Sequence, residues 1–459
     1  MKKKWIFVLT VLLLVVPVLA ACAAPAPQEP AEEPMEEPAE EPMEEPAEEP
    51  AEEPMEEPTE EPMAEPTVVK VGVVTDLSGP LALYGVSIQR SFLIGLEYMA
   101  GAPGTADNVF TLADPNVEIH VIFKDDQSDP ELTATVGREL IEVEQVDILV
   151  GTVSSGATAT LQGLAAENQI PLIVAPAASN DITGKDFNPY TFRTSRNNYQ
   201  DAINLCQYLP TVYDTFVQIA PDYSFGYGGA QAFRDACTVN GGEFVADDIF
   251  APADTTEFTP YMEQVLASGA ESWIVTWAGA GFISMMQAAA DVGVTEEMAL
   301  GASYIDNALM PVFFSNNVGN TSGILYHYTL PDNPINDLLI EKVRAVAGTP
   351  PDLFDGDGMN AAILLVEALK ATGGDTSADA MIAAMEGITF EGPKGTVYIR
   401  PEDHVAIQDM YIVTLLNVDD PDFAYYELVT TTRPEPPCLL EGDYLERCGD
   451  LPVGSLSGE

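Results

Sequence analysis

Positive charge is scarce in this chain. Its 459 residues hold 18 Lys and Arg against 73 Asp and Glu, a formal charge of −55. Nucleic-acid binding needs basic patches that neutralise phosphates, so that class is excluded. The same shortage argues against a body lying flat on an anionic membrane. Histidine is equally sparse, with three: His120, His327 and His404. No H-E-x-x-H, G-x-S-x-G or P-loop pattern occurs, so a metalloprotease site, a nucleophile elbow and a nucleotide cradle are all unsupported. The fragments "GYGG" and "GAG" are too short for a dinucleotide site. The acidic pairs Asp125–Asp126 and Asp355/Asp357 have no partner base in sequence and read as helix caps and loop solvation. No catalytic residue, metal or cofactor is assigned.

Long apolar runs are also lacking, with one exception at the start. "MKKKWIFVLTVLLLVVPVLAAC" has a positive region, Lys2–Lys4, then an apolar stretch, Trp5 to Leu19. The stretch is short and Pro17 interrupts it, which fits a cleaved leader better than a membrane span. Leu19-Ala20-Ala21-Cys22 resembles the box of bacterial lipoprotein signals. Cleavage would leave Cys22 for acylation, and two or more acyl chains anchor stably where one does not. Residues 22–66 then hold 18 Glu and neither Lys nor Arg. Proline at nearly every fourth place forbids helix, and like charges extend the chain. This segment is expected to be a disordered, solvated tether.

The remaining residues, 67–459, are too many for one core, so two lobes are expected. The chain past Cys22 carries four cysteines: Cys206, Cys237, Cys438 and Cys448. An even number in an exported chain suggests two disulfides. Of three possible pairings, closeness in sequence favours Cys206 with Cys237 and Cys438 with Cys448. No CxxC spacing supports a metal site instead.

From Val68 to Val174, apolar runs alternate with helical patterns. "TVVKVGVV", "VEIHVIF", "VDILVG" and "IPLIVAP" read as buried strands, and the segments between them as helices. A β-α-β-α order means a parallel sheet covered on both faces. The pattern restarts after Arg193 with "TFVQIAP" and "ESWIVTW". Two late helices, Gly358 to Ala371 and Ser377 to Met385, and the strands "GTVYI" and "DMYIVTLL" return toward the first unit. The fold class is therefore α/β: two Rossmann-like lobes with parallel sheets, joined by a hinge that the chain crosses several times. The division expected is a leader at 1–21, the tether at 22–66, and lobe 1 at 67–194 and 331–390. Lobe 2 is 195–330, hinge-crossing strands are 391–433, and 434–459 is a C-terminal extension. Ligands of open parallel sheets bind beyond the strands' carboxyl ends. Two such edges facing each other make a cleft that closes by hinge motion.

"VKVGVVTDLSGPLALYG", "FKDDQSDP", "VDILVGTVSSGATAT" and "IPLIVAPAAS" resemble, in order and spacing, the leucine/isoleucine/valine-binding proteins of bacterial ABC importers, a branch of the type I periplasmic-binding fold. The likeness runs from Val68 to about Leu416. "GPKGTVYIRPEDHVAIQDMYIV" is similar to members that take up aromatic or other organic acids. The resemblance implies a ligand carboxylate at Ser155 and at the N–H groups of Gly156 and Ala157. A helix tip suits an anion, although serine there also simply caps helices. It further implies that the Ala177 carbonyl, the Ser179 hydroxyl, Tyr84, Phe225 and Trp277 face the ligand.

One departure stands out. Relatives that bind amino acids place a glutamate where "LGASYIDN" has Ser303. A buried ammonium without an anion is costly, so either Asp306 takes that role or the ligand has no ammonium. The expectation is a monomeric binding lipoprotein on the extracytoplasmic face of the cell membrane. It would pass a small carboxylate, a branched-chain or related amino acid, to ABC permease subunits. An aromatic acid, organic acid or amide is the alternative ligand, and an exported hydrolase or a ligand-sensing lipoprotein is the alternative class.

Overall fold

The computed structural model describes residues 65–279 and 281–458. The leader, Cys22 and the tether up to residue 64 lie outside the described residues. The first lobe starts with β1 (Thr67–Thr75), α1 (Ala82–Ala100), β2 (Val109–Leu112) and β3 (Val117–Asp125). It continues with α2 (Pro130–Arg138), β4 (Ile148–Gly151), α3 (Ser155–Asn168), β5 (Leu172–Val174) and β6 (Thr191–Arg193). These strands form one sheet in the order β2-β3-β1-β4-β5-β6. All pairs are parallel except β2 with β3. Strands buried on both faces explain the unbroken apolar runs. Val69, Val71 and Val73 pack with Ile88 and Phe92 of α1, whereas Val74 and Leu149 pack on the other face with Val136 and Leu161.

The chain then crosses into α4 (Asn198–Cys206), whose start is fixed by a capping box between Asn197 and Gln200. The second lobe follows: β7 (Thr215–Pro221), α5 (Ser224–Val239), β8 (Glu243–Phe244), β9 (Ile249–Ala251), α6 (Thr259–Ala267) and β10 (Ser272–Val275). It ends with α7 (Gly281–Val292), α8 (Val294–Glu297) and β11 (Ala299–Gly301). Its parallel sheet runs β11-β10-β7-β8, with β9 also beside β7. Cys206 of α4 is bonded to Cys237 of α5, which staples two helices on one face of this sheet.

After a short α9 (Met310–Phe313) and β12 (Thr321–Ile324), the chain forms α10 (Pro334–Ala347), α11 (Asp355–Thr372) and α12 (Ala378–Met385). Helix α11 is buried along most of its length and packs lengthwise on α1. The approach is close: a Cβ on Gly358 would sit 2.2 Å from Ser91 Oγ. Strands β13 (Thr389–Gly392), β14 (Gly395–Ile399) and β15 (Ala406–Ile407) make a small antiparallel sheet. Strands β16 (Met410–Leu415) and β17 (Tyr426–Thr432) complete another with β12. The run "SGILYHYTL" is strand only to Ile324. Beyond it the side chains of His327 and Tyr328 bond to the carbonyls of Phe423 and Asp422 instead.

The last segment is stapled by Cys438–Cys448. These cysteines pack with Phe187 and Leu440. Arg400 Nη1 donates to the Pro436 carbonyl at 2.9 Å, and Arg447 pairs with Glu386 at 2.7 Å. At the far end, the Leu456 N–H bonds Asp235 of α5 at 2.7 Å. The extension therefore touches elements of both lobes. No helix among the described residues is long and apolar enough to cross a membrane.

Candidate functional site

Loops leaving the carboxyl ends of β1, β4, β7 and β10 meet around one open chamber of about 510 Å³. Pro80, Leu81, Ser154 and Gly156 line it from the first lobe, and Tyr223, Trp277 and Gly279 from the second. The loops are held firmly from below. Asp76, fully buried, accepts from the N–H groups of Gly79 (2.5 Å) and Leu81 (2.9 Å) and from Ser128 Oγ (2.7 Å). Asp125 accepts from Leu77 N at 2.8 Å, and Asp129 caps α2. The acidic stretch "KDDQSDP" thus ties loops together.

Behind this chamber, Trp277 and Ala278 also line a smaller inner cavity of about 120 Å³. Tyr84, Phe225, Phe354 and Tyr304 form most of its aromatic wall, with Leu325 and Ile305. The rings brace one another edge to face. Tyr84 meets Phe354 at 4.9 Å, and Trp277 meets Phe258 at 5.0 Å. Cavities near 150 Å³ with apolar walls accept a benzene-sized body. The inner cavity therefore suits a small apolar group of that order.

The two sides touch across the cleft. Tyr84 Oη donates to Asp306 Oδ2 at 3.2 Å, Ser179 Oγ to the Ser224 carbonyl at 3.3 Å, and Asn180 Nδ2 to the Gly228 carbonyl at 3.0 Å. Gly279, at φ +81°, lies so near the opposite loop that a Cβ would stand 2.8 Å from Leu81 Cδ2. The lobes are in a closed arrangement.

The residues singled out in the sequence divide into two groups. Tyr84, Phe225 and Trp277 line the inner cavity together, as does Ser303. Gly156 lines the outer chamber. Ser155, Ala157, Ala177, Ser179 and Asp306 are buried and line neither space. The reasons are local. Ser155 Oγ accepts the Ser179 N–H at 3.1 Å, so these two serines hold each other. The Ala177 carbonyl accepts from Arg193 Nη1 at 2.8 Å and from Ser195 Oγ at 3.4 Å. Asp306 sits behind Tyr84, and burial raises its carboxyl above the ordinary range. Asp352 beside it is likewise raised, first by burial and then by Asp306.

Sequence reading missed the polar floor of the inner cavity. Arg196, Asn198 and Asp201, on the crossover from β6 into α4, all line it. Arg196 is stacked over Phe354, 5.2 Å from the ring centre. Its Nη1 donates to the Pro176 carbonyl at 2.8 Å and its Nε pairs with Asp201 at 3.2 Å. Deeper still, Asp357 and Lys394 are buried with no hydrogen-bond partner among the described residues. Burial pushes Asp357 up to about 6 and pulls Lys394 down to about 8. No group of His, Cys, Asp and Glu among the described residues is arranged to hold a metal ion. The "DGDG" stretch that opens α11 gave no outward sign that its acids point inward.

A cleft between two parallel-sheet lobes, walled by aromatics and floored by a few polar groups, defines a protein that closes over a small molecule. Residues 68–419 match the family model described as periplasmic binding protein, and the chain belongs to that family. Its members bind and carry substrates and are not enzymes. Among curated proteins it is similar to "Leu/Ile/Val-binding protein homolog 6" of Brucella melitensis, 28% identical over 385 residues, covering 81% of this chain and 94% of that one. Among solved structures it is similar to an ABC-type branched-chain amino acid transporter from Rhodopseudomonas palustris. The two are 32% identical with a TM-score of 0.64, over 80% of this chain and 97% of that one. A solute-binding protein from R. palustris in complex with 4-hydroxybenzoate shares the fold, at 22% identity and a TM-score of 0.71, over 80% of this chain and 98% of that one.

Proposed function

We propose that this protein is the lipid-anchored, extracytoplasmic binding component of an ABC importer. It captures a small acid with an apolar body in the interlobe cavity and delivers it to a membrane permease as a monomer. The observation that carries this reading is the inner cavity itself: about 120 Å³, lined by side chains of both lobes, with Tyr84, Phe225, Trp277, Tyr304 and Phe354 among them. Tyr84, Phe225 and Trp277 hold the ligand's body, and the helix tip at Gly156 guards the entry. The box ending at Cys22 supports the anchor, and the Glu/Pro tether gives the body reach to meet both ligand and permease. The names of the similar proteins support two ligand groups, branched-chain amino acids and aromatic acids. The aromatic wall favours the second as an alternative to the first.

The test is a thermal-shift screen of the purified body against apolar amino acids, their deaminated analogues and benzoates. A ligand at 100 times its dissociation constant adds about 2.7 kcal/mol of stability. At least one acid is expected to shift the melting point and to be recovered chemically unchanged. Turnover of the added compound would contradict the receptor reading.

A further inference from the structure

Residues 420–459 lie beyond the part of the chain that the family model matches, and the end of this segment joins the two lobes by a route of its own. Its body is fixed to the first lobe. Arg400 Nη1 donates to the Pro436 carbonyl at 2.9 Å. Arg447 Nε donates to the Glu402 carbonyl at 2.9 Å, and its guanidinium pairs with Glu386 at 2.7 Å. The same guanidinium lies over the Phe187 ring, 5.2 Å from its centre, and Tyr444 meets that ring edge to face at 5.0 Å. A Cβ on Gly184 would stand 2.9 Å from Leu439 Cβ, so the segment presses directly on the first lobe there.

Its tip is fixed to the second lobe. The Leu456 N–H donates to Asp235 Oδ2 of α5 at 2.7 Å, and Tyr199 Oη of α4 donates to the Gly454 carbonyl at 3.4 Å. The side chains of Leu439 and Leu456 pack on the cluster of Tyr199, Leu205, Phe233 and Ala236 that α4 and α5 share. Leu439 therefore touches both lobes from one position. Between these anchors the segment borders a space of about 490 Å³, whose walls include Asp181 and Lys185 of the first lobe and Tyr227 and Gln231 of the second. The connection is stiff. The Cys438–Cys448 bond closes a short loop. The Cys438 N–H donates to the Pro452 carbonyl at 2.7 Å, and the Gly454 N–H to the Cys438 carbonyl at 2.9 Å. Pro434, Pro436, Pro437 and Pro452 each fix a backbone angle in advance. A brace of this kind passes the motion of one end to the other, which a loose tail does not.

We propose that residues 434–459 form a strap that holds the lobes in the closed arrangement and slows release of what the cleft contains. The hinge crossings set the axis of opening, and the strap limits how far the lobes part about it. Motion that draws α5 away from Ser179 and Asn180 must peel Leu456 off Asp235 and Leu439 off the α4–α5 cluster, or lift the strap off Phe187. A protein whose closed state is favoured in this way spends less binding energy on closing, so it binds more tightly. The consequence for release rests on the receptor reading above and adds a control to that same cleft. The restraint on opening is a property of the chain alone.

The experiment reads the width of the cleft with and without the strap's tip. Spin labels go on Glu131→Cys and Asp254→Cys, exposed positions on opposite lobes: Glu131 follows Pro130 of the outer chamber's wall, and Asp254 belongs to that wall. The full chain carries Cys22→Ser, and its other four cysteines are held in disulfides, so only the two labels attach. Distance distributions from pulsed electron spin resonance are compared for this chain, for the same chain ending at Gly454, and for Leu456→Asp, which sets a second carboxylate beside Asp235. Both altered tips are expected to shift population from the short, closed distance to longer ones. Stopped-flow release of L-leucine and of benzoate is then measured on all three chains. A probe that binds should leave both altered chains about tenfold faster, the effect of losing one charge-assisted hydrogen bond and a leucine contact. Identical distance distributions in the three chains overturn the strap, and so does an unaltered release rate for a probe that binds. Longer distances in the altered chains with neither probe bound support the strap and count against the receptor reading for those acids.

Discussion

Removing one hydroxyl at the cleft, in Tyr84→Phe, isolates an interaction that only the closed arrangement makes. Tyr84 lies in the first turn of α1, and Asp306 follows β11 of the other lobe. Their hydrogen bond, 3.2 Å long, spans the two sides of the cleft. Opening must break it, so its worth appears in ligand affinity and hardly at all in the stability of either lobe. With Asp306 ionised the bond is charge-assisted, worth roughly 1.5–3 kcal/mol. That converts to a ligand affinity about 10- to 150-fold weaker in the variant. Burial raises the Asp306 carboxyl, so it takes up a proton at a higher pH than an exposed aspartate. Once protonated, the acceptor is neutral, and the bond is worth roughly 0.5–1.5 kcal/mol. Calorimetry at pH 8 and pH 5 should therefore show a large penalty at the first and a smaller one at the second. A variant that binds within twofold of the wild type at both values would refute the reasoning.

Two further outcomes follow from buried groups. His327 accepts or donates bonds to Thr329 and the Phe423 carbonyl, and burial lowers its pKa to about 3. A depressed folded value means its contribution is present above about pH 6.5 and is lost as pH falls toward 3. Between pH 7 and pH 4 the wild type should lose about 3 kcal/mol more stability than His327→Gln in urea denaturation, and parallel profiles would contradict this. The Cys206–Cys237 bond closes a loop of sequence separation 31. The double variant Cys206→Ser/Cys237→Ser should lose about 3 to 4 kcal/mol by loop-closure entropy, read as a lower denaturation midpoint. A midpoint unchanged from the wild type would show that the helices it joins are already fixed.

Much of the fold was legible because parallel strands buried on both faces leave long apolar runs. Thr67–Thr75 and Ile148–Gly151 are such cases. Strand β17 escaped notice because only Tyr426 of its residues is buried, so it shows no alternation. Helix α10 escaped too, although Asn333 caps it, Pro334 opens it and Gly348 closes it in the left-handed conformation. Its signals were ordinary ones, placed in a stretch that separates two lobes. In the site, Tyr84, Phe225 and Trp277 were expected at one cleft and line one cavity. Arg196, Asn198 and Asp201 were not read from sequence. Polar residues on a crossover obey no hydrophobic period, and their convergence depends on how α4 leaves β6. Ser155 shows the opposite limit: position at a helix tip was legible, but its engagement by the Ser179 N–H was not.

The most direct measurement is a crystal structure of the body with the acid that shifts its melting point most. The account predicts that acid between Tyr84, Phe225 and Trp277, with the lobes closed as described. Density for the acid anywhere else, such as the groove between Tyr208 and Phe314 on the second lobe, with the interlobe cavity filled by side chains, would contradict it.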